Sequence, residues 1–308
     1  MDRVSGSEQG GDPSDRGRSS LVVALVATHN RREVTLRSLR SYFAQEISGV
    51  TLRAVVVDGG SHDGTPSAVS EEFADVEVVR GGIDLYWAGA MWIAEQRALD
   101  MRPDYLLWLN DDVVADAEAL RVLLDTADEN DGRCVVVGAM RDPQSGQMTY
   151  SGIMRPGPHP LRVEWVEPTD QAQVVDTFNG NLVLVPRKAG EVVGPIDGQY
   201  VHSGADFDYG YRAKKLGVPT VLAPGTLGQC TRESGDFRPW GNRALTRRER
   251  LAILRSPKGH PFRPRGRFMR RHAGWLAPFF LAWLYIRALP QVLAPTSTAG
   301  GRKPKQAD

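Results

Sequence analysis

Residues 21–27 read Leu-Val-Val-Ala-Leu-Val-Ala, an unbroken apolar run that meets the polar Thr28-His29-Asn30 at its end. A strand apolar on both faces is what the centre of a parallel sheet needs when helices cover each side. The same alternation repeats outward from it. Residues 32–42 place Val34, Leu36 and Leu39 at helical spacing, residues 51–57 form a second buried strand, and a helix is expected after the turn Ser61-His62-Asp63-Gly64-Thr65. A short strand over 76–79, a helix over 88–99 and the buried strand 105–109 (YLLWL) continue it. This βαβα order predicts an α/β fold, a Rossmann-like, mostly parallel sheet with helices on both faces. Further on, the pattern predicts a helix over 115–127, a strand over 134–139, a proline-rich hairpin-and-loop insertion over 141–170 and a strand over 181–185. It ends with helices over 186–193 and 205–216 and a final short strand over 218–222.

The formal net charge of +1 conceals two opposed regions. Residues 1–230 hold 21 Lys and Arg against 33 Asp and Glu, a net of −12, whereas residues 231–308 hold 17 against 4, a net of +13. A basic tail of this kind is expected to meet an anionic surface. The two cysteines, Cys134 and Cys230, lie far apart, and a chain of 308 residues needs no disulfide, which points to a reducing compartment. Residues 1–20 are Gly, Ser, Asp and Arg without an apolar core, so they read as a disordered leader rather than a signal peptide.

In open α/β sheets, ligands bind beyond the carboxyl ends of the strands. Polar clusters stand at such ends: Thr28-His29-Asn30, then residues 58–65 beginning with Asp58, then Asn110-Asp111-Asp112. Adjacent carboxylates repel unless a cation or another positive group sits between them, and Mg²⁺ or Mn²⁺ takes such oxygen ligands together with substrate phosphates. Taken singly, an Asp here also serves as a helix cap or turn residue. Asp206 and Asp208 fall in the first turn of the helix over 205–216, where the helix dipole favours ionised carboxylates, so either is available as a general base, with His202 nearby. The corresponding structural reading makes one of them a cap.

The segments VVALVATHNRREVTLRSLRS, AVVVDGGSHDGT, LLWLNDDV and GADFDYGYRAKKLG, in this order, resemble family 2 glycosyltransferases of the GT-A fold over roughly residues 21–234. The resemblance implies a nucleotide-sugar donor (UDP- or dTDP-linked), a divalent metal and direct displacement at the anomeric carbon with inversion. Asp112 matches the metal ligand, and Asn110 and Asp111 match donor or metal-shell contacts. Thr28, His29, Asn30 and Asp58 match the nucleoside-holding positions, Asp84 and Trp87 the segment beside the donor sugar, and Asp206 the catalytic base. The chain departs from the pattern at Ala205, where many relatives carry Glu, at Cys230, near which many carry a His, and at Trp92, where many carry a small polar residue.

The expected organisation is therefore a catalytic domain over 21–234 and a basic, aromatic-rich helical tail over 235–308, with a disordered end from about 296. Residues 273–286 (AGWLAPFFLAWLYI) carry no charge and read as too short to span a bilayer, fitting instead an interfacial helix beside an Arg cluster. A peripheral place on the cytoplasmic face of the cell membrane, with a lipid-linked or polysaccharide acceptor and no nucleic acid, follows from that reading. The alternative is that the stretch packs as one more core helix. His159, His260 and His272 show no ligand spacing and read as surface or loop residues. Against the transferase stand a sugar nucleotidyltransferase and a nicotinamide-dependent oxidoreductase, both of which lack their glycine-rich loop after residues 21–27. A glycosyltransferase-like subunit that binds without turnover is the other alternative.

Overall fold

The computed structural model describes residues 19–232 and 239–296; the expected leader up to residue 18 and the terminal segment from residue 297 lie outside the described residues, and Ser20, assigned to that leader, instead begins the first strand. The first half alternates as β1 (Ser20–Thr28), α1 (Arg32–Phe43), β2 (Val50–Asp58), α2 (Thr65–Glu72), β3 (Val76–Arg80), α3 (Trp87–Asp100) and β4 (Tyr105–Leu109). β1 pairs in parallel with β2 on one side and with β4 on the other, and β3 extends the sheet from β2. There follow β5 (Val114–Ala115), α4 (Ala119–Asp128), β6 (Val135–Arg141), β7 (Met148–Tyr150), β8 (Gly152–Met154), β9 (Glu164–Trp165), β10 (Gln173–Val175) and β11 (Thr177–Phe178). β12 (Leu182–Pro186), α5 (Arg187–Val193), α6 (Ala205–Lys215) and β13 (Thr220–Gln229) complete this part.

The main sheet runs β10-β13-β6-β12-β4-β1-β2-β3, and β11, β8 and β9 form a small second sheet. β12 enters antiparallel between β4 and β6, and the edge strand β10 pairs antiparallel with β13, so the parallel pattern is broken at two strands of this order. The helix expected from residue 115 starts at Ala119, because Val114 and Ala115 instead pair with β13. The last strand continues well past Leu222, crossing Pro224 and Gly225 by a shift of register against β6.

The alternation along β1 explains the two core layers. Val23 and Leu25 face α3, α5 and α6, packing with Met91, Ala94 and Tyr209, while Val22, Ala24 and Val26 face α1, α2 and α4, packing with Leu39, Val69 and Leu123. Both faces are closed. Polar atoms at the strand ends are therefore the ones left for a ligand.

The tail is helical: α7 (Arg247–Arg255), α8 (Phe262–Ala273) and α9 (Ala277–Leu293), with a short 3-10 turn at Gly274–Leu276. Thr246 and Glu249 cap α7 reciprocally, each side chain bonding the other residue's backbone N–H. The helical run Phe262–Leu293 contains an 18-residue window of mean hydropathy 1.4, long and apolar enough to cross a membrane by length and composition. That corrects the expectation that the tail falls short of such a run. The run is bent, however: Gly274 adopts φ +55°, and the Phe262 ring lies 6.1 Å from that of Tyr285, so α9 folds back along α8. Alone, the 17 residues of α9 extend about 26 Å, less than the roughly 30 Å of a hydrocarbon core.

Candidate active site at the carboxyl ends of the strands

Thr28 and Asp58 are register partners at the ends of β1 and β2. Buried Asp58 accepts the backbone N–H groups of Gly60 (3.1 Å) and Ser61 (2.9 Å) and the Ser61 hydroxyl, so its carboxylate shapes the loop. Asn30 takes a left-handed φ of +50°, which asparagine tolerates, and accepts the His62 N–H on its side chain at 2.8 Å. His29 Nδ1 lies 2.9 Å from the Gly59 carbonyl, which makes it the donor and leaves Nε2 to accept from Asn30 Nδ2 at 3.1 Å. The first two loops are thereby fastened together.

The third loop holds the carboxylates. Arg31 Nη1 donates to Asp111 Oδ1 at 2.8 Å and to Asp112 Oδ2 at 3.3 Å, so the positive group that adjacent carboxylates require is supplied by the chain itself. Burial pushes the Asp111 carboxyl up to about 6; Arg31 opposes the shift and the Asp112 charge adds to it. Cys230 Sγ donates to Asp112 Oδ1 at 3.4 Å and receives Asn181 Nδ2 at 3.6 Å. Burial drives this thiol well above its ordinary value, so it stays protonated and orients Asp112 as a neutral donor. Among the described residues no group of three His, Cys, Asp or Glu could hold a metal ion. Two hard carboxylates fit a cation that takes its other ligands from phosphates and water, and do not fit one caged by protein.

A chain of contacts leads from these carboxylates to the predicted base. Asn110 Oδ1 accepts Trp87 Nε1–H at 2.8 Å, and the Trp87 ring lies over Gly180, where any Cβ would come within 2.8 Å of it. Gly180 N–H in turn points at Asp206 Oδ2, 3.4 Å away. Asp206 sits in the first turn of α6, entered through Gly204 at φ +99°, and burial pushes its carboxyl up to about 6 although part of the residue stays open to solvent. Beside Gly180, Asn179 Oδ1 is buried with no hydrogen-bond partner. Asp84 is exposed in the loop before α3, and the His202 ring lies 5.8 Å from that of Tyr86.

Other expectations need correction. Asp208, a secondary candidate for the base, is fully buried against the tail: Arg271 Nη1 at 2.8 Å, His272 Nε2 at 2.7 Å, Arg212 Nε at 2.9 Å and the Tyr200 hydroxyl at 3.0 Å surround it. Burial alone would raise its pKa, but these partners hold it far below the usual carboxylate range. His272 is accordingly a core residue, not a surface one. Trp92 packs on Gly198 and lines a surface groove of about 500 Å³ with Pro195, Ile196 and Arg212, away from Trp87 and Asn110.

Sequence reasoning missed Arg31, Gly180 and Asn181. The need of two carboxylates for a positive neighbour pointed toward Arg31, and Asn179-Gly180 carries the turn signal of a short loop, but only pairing across the sheet joins them.

Residues 23–173 match the glycosyl transferase family 2 profile. The chain is 26% identical over 211 residues to the N-acetylglucosaminyl-diphospho-decaprenol L-rhamnosyltransferase of Mycobacterium tuberculosis, in two strains, covering 59% of this chain and 68% of that protein. Among solved structures it resembles GalNAc-T7 with UDP, GalNAc and Mn²⁺ (TM-score 0.60, 12% identity), over 89% of this chain and 56% of that one. It also resembles S. aureus TarS (TM-score 0.51, 15% identity), over 89% and 80%. The chain thus spans little more than half of GalNAc-T7, and at these identities the two structures speak for the GT-A fold alone.

Proposed function

The chain belongs to glycosyl transferase family 2, and from that premise we propose that it moves a sugar, hexosyl or deoxyhexosyl, from a UDP- or dTDP-linked donor to a hydroxyl of a lipid-linked or polysaccharide acceptor, with inversion. The observation that carries this reading is the continuous path Asp112–Cys230–Asn181–Asn110–Trp87–Gly180–Asp206, which ties the acidic loop to a carboxyl of raised pKa. The β1, β2 and β4 loops would receive the nucleoside and diphosphate. Asp111 and Asp112 would hold a divalent Mg²⁺ or Mn²⁺ ion, which when bound offsets the charge that builds on the leaving diphosphate. Asp206 accepts the acceptor hydroxyl proton as that oxygen attacks the anomeric carbon from the face opposite the diphosphate. The bond to the diphosphate breaks and the configuration inverts. General-base help of this kind contributes about 10²–10⁴-fold in rate.

The likeness to a protein named for a diphospho-decaprenol acceptor supports a lipid-linked acceptor, and the exposed apolar stripe of the tail supports a peripheral place at an anionic membrane on the cytoplasmic side. The test is metal-dependent release of nucleoside diphosphate across a panel of nucleotide sugars, with and without lipid-linked acceptor. Turnover of one donor in the presence of acceptor supports transfer. A second reading, a subunit that binds donor without turnover, draws on Arg31, which already engages both carboxylates. Nucleotide binding combined with silence across the whole panel selects it.

A further inference from the structure

Three arginines of α8, Arg265, Arg267 and Arg271, reach the segment 197–208 of the catalytic half, and two have carboxylate partners. Arg267 binds Asp197, with Nε at 2.8 Å, and Arg271 binds Asp208 and Asp197. Arg265 differs. Its Nη2 donates to the Ser203 hydroxyl at 3.0 Å, and among the described residues no carboxylate lies within ion-pair distance of it. A Cβ on Gly204, two residues before Asp206, would lie 4.0 Å from Arg265 Nη1. Burial pulls the guanidinium below its ordinary value, and the negative charge of nearby Asp206 acts against that pull. A guanidinium presents five donors in a planar fork suited to phosphate oxygens. Here one donor is used by protein, beside the base.

Resting on the transfer reading above, we propose that Arg265 receives the phosphate or diphosphate link of a lipid-linked acceptor and so holds the acceptor sugar toward Asp206. The donor's phosphates are placed elsewhere, because Arg265 has no contact with Asp111, Asp112 or Arg31. The apolar part of such an acceptor has a matching surface on the same helical hairpin: Trp275, Phe279, Trp283, Ile286, Leu289 and Leu293 recur every three or four residues and are at least half exposed. Tyr285 of α9, from the same hairpin, lies close enough to interact with Arg265. Apolar stripe, guanidinium and carboxyl base thus stand in the order in which a lipid, its anionic link and a sugar hydroxyl follow one another.

The test uses the full chain in nonionic detergent with farnesyl diphosphate as probe, and farnesol and inorganic pyrophosphate as its two halves. Farnesyl diphosphate is expected to bind at least about tenfold more tightly than either half. Arg265→Ala should remove about tenfold of that affinity and Arg265→Lys less, while UDP and dTDP binding stay within about twofold. Arg265→Gln, which keeps a donor for Ser203, serves if the alanine variant melts early. Unchanged farnesyl diphosphate affinity in these variants overturns the proposal, as does an equal loss of nucleotide binding. Loss of binding to phosphatidylglycerol vesicles in Arg265→Ala, with farnesyl diphosphate affinity intact, would assign the group to membrane headgroups and overturn it too. Because none of these measurements requires turnover, a silent donor panel sinks the transfer reading without imitating a failure here.

Discussion

At the scale of the residue, burial sets the chemistry of the acids. Asp206, pushed up to about 6, is ionised and able to accept a proton only above that pH, so turnover should climb through an inflection near 6. Asp206→Asn should lower the rate at least about 10²-fold and leave nucleotide binding intact, as read by calorimetry beside a rate assay. Arg31 competes with any cation for Asp111 and Asp112, so Arg31→Gln should tighten Mn²⁺ binding severalfold, measured by electron paramagnetic resonance. Glu95 shows the same physics away from the site. It is buried with a backbone partner in the Ile196 N–H, and burial pushes it up to about 7. The folded state therefore holds this proton more tightly than the unfolded chain, and stability falls as pH rises from the ordinary carboxyl range through about 7. Glu95→Gln keeps an acceptor without the charge. It should raise the melting temperature near pH 8, on the order of 2 kcal/mol in stability, and change little near pH 5, as followed by circular dichroism.

At the scale of the element, α6 carries two acids with opposite duties. Asp206 faces Gly180, whereas Asp208, two residues on and so on a different face, anchors α8 through Arg271 and His272. Removing it strands buried positive groups, which costs about 3–5 kcal/mol. Asp208→Ala should therefore lower stability by that order and speed proteolysis between α7 and α8, readable by denaturant titration and limited digestion. Because its folded pKa is depressed, Asp208 contributes fully at neutral pH, and the contribution is lost as pH falls below about 4, where the unfolded carboxyl takes up a proton. Arg250 plays a comparable part inside the tail, with Nη1 donating to the Gln291 carbonyl at 2.9 Å near the end of α9.

At the scale of the whole molecule, the charge asymmetry divides into two uses. Arg250, Arg267 and Arg271 turn inward to carbonyls and carboxylates, while Arg243, Arg247, Arg248, Arg255, Lys258, Arg263, Arg270 and Arg287 remain exposed, Arg287 lying 6.0 Å from the Trp283 ring of the apolar stripe. Only the outward set is available to an anionic leaflet, where each basic residue adds about 1 kcal/mol. The chain should therefore sediment with vesicles containing phosphatidylglycerol and less with neutral ones. Trp283→Glu on the stripe, or about 1 M salt, which shortens screening to about 3 Å, should each reduce the bound fraction severalfold.

Periodicity and composition were enough for the βαβα half, because strands buried on both faces must be apolar without a break, and β1, β2 and β4 read that way directly. Thr28, Asp58 and Asn110–Asp112 were legible for the same reason: a polar residue that ends such a strand has nowhere to go but the sheet's edge. The sequence did not show that β12 runs antiparallel between β4 and β6, since strand direction is set by pairing and not by pattern. That pairing brings Gly180 and Asn181 between Asp206 and Asp112. Nor did local spacing separate the duties of Asp206 and Asp208, or distinguish Arg265 from Arg267 and Arg271. Those differences arise from partners 60 or more residues away, where the packing of α8 against α6 decides which charges are neutralised and which is left for a ligand.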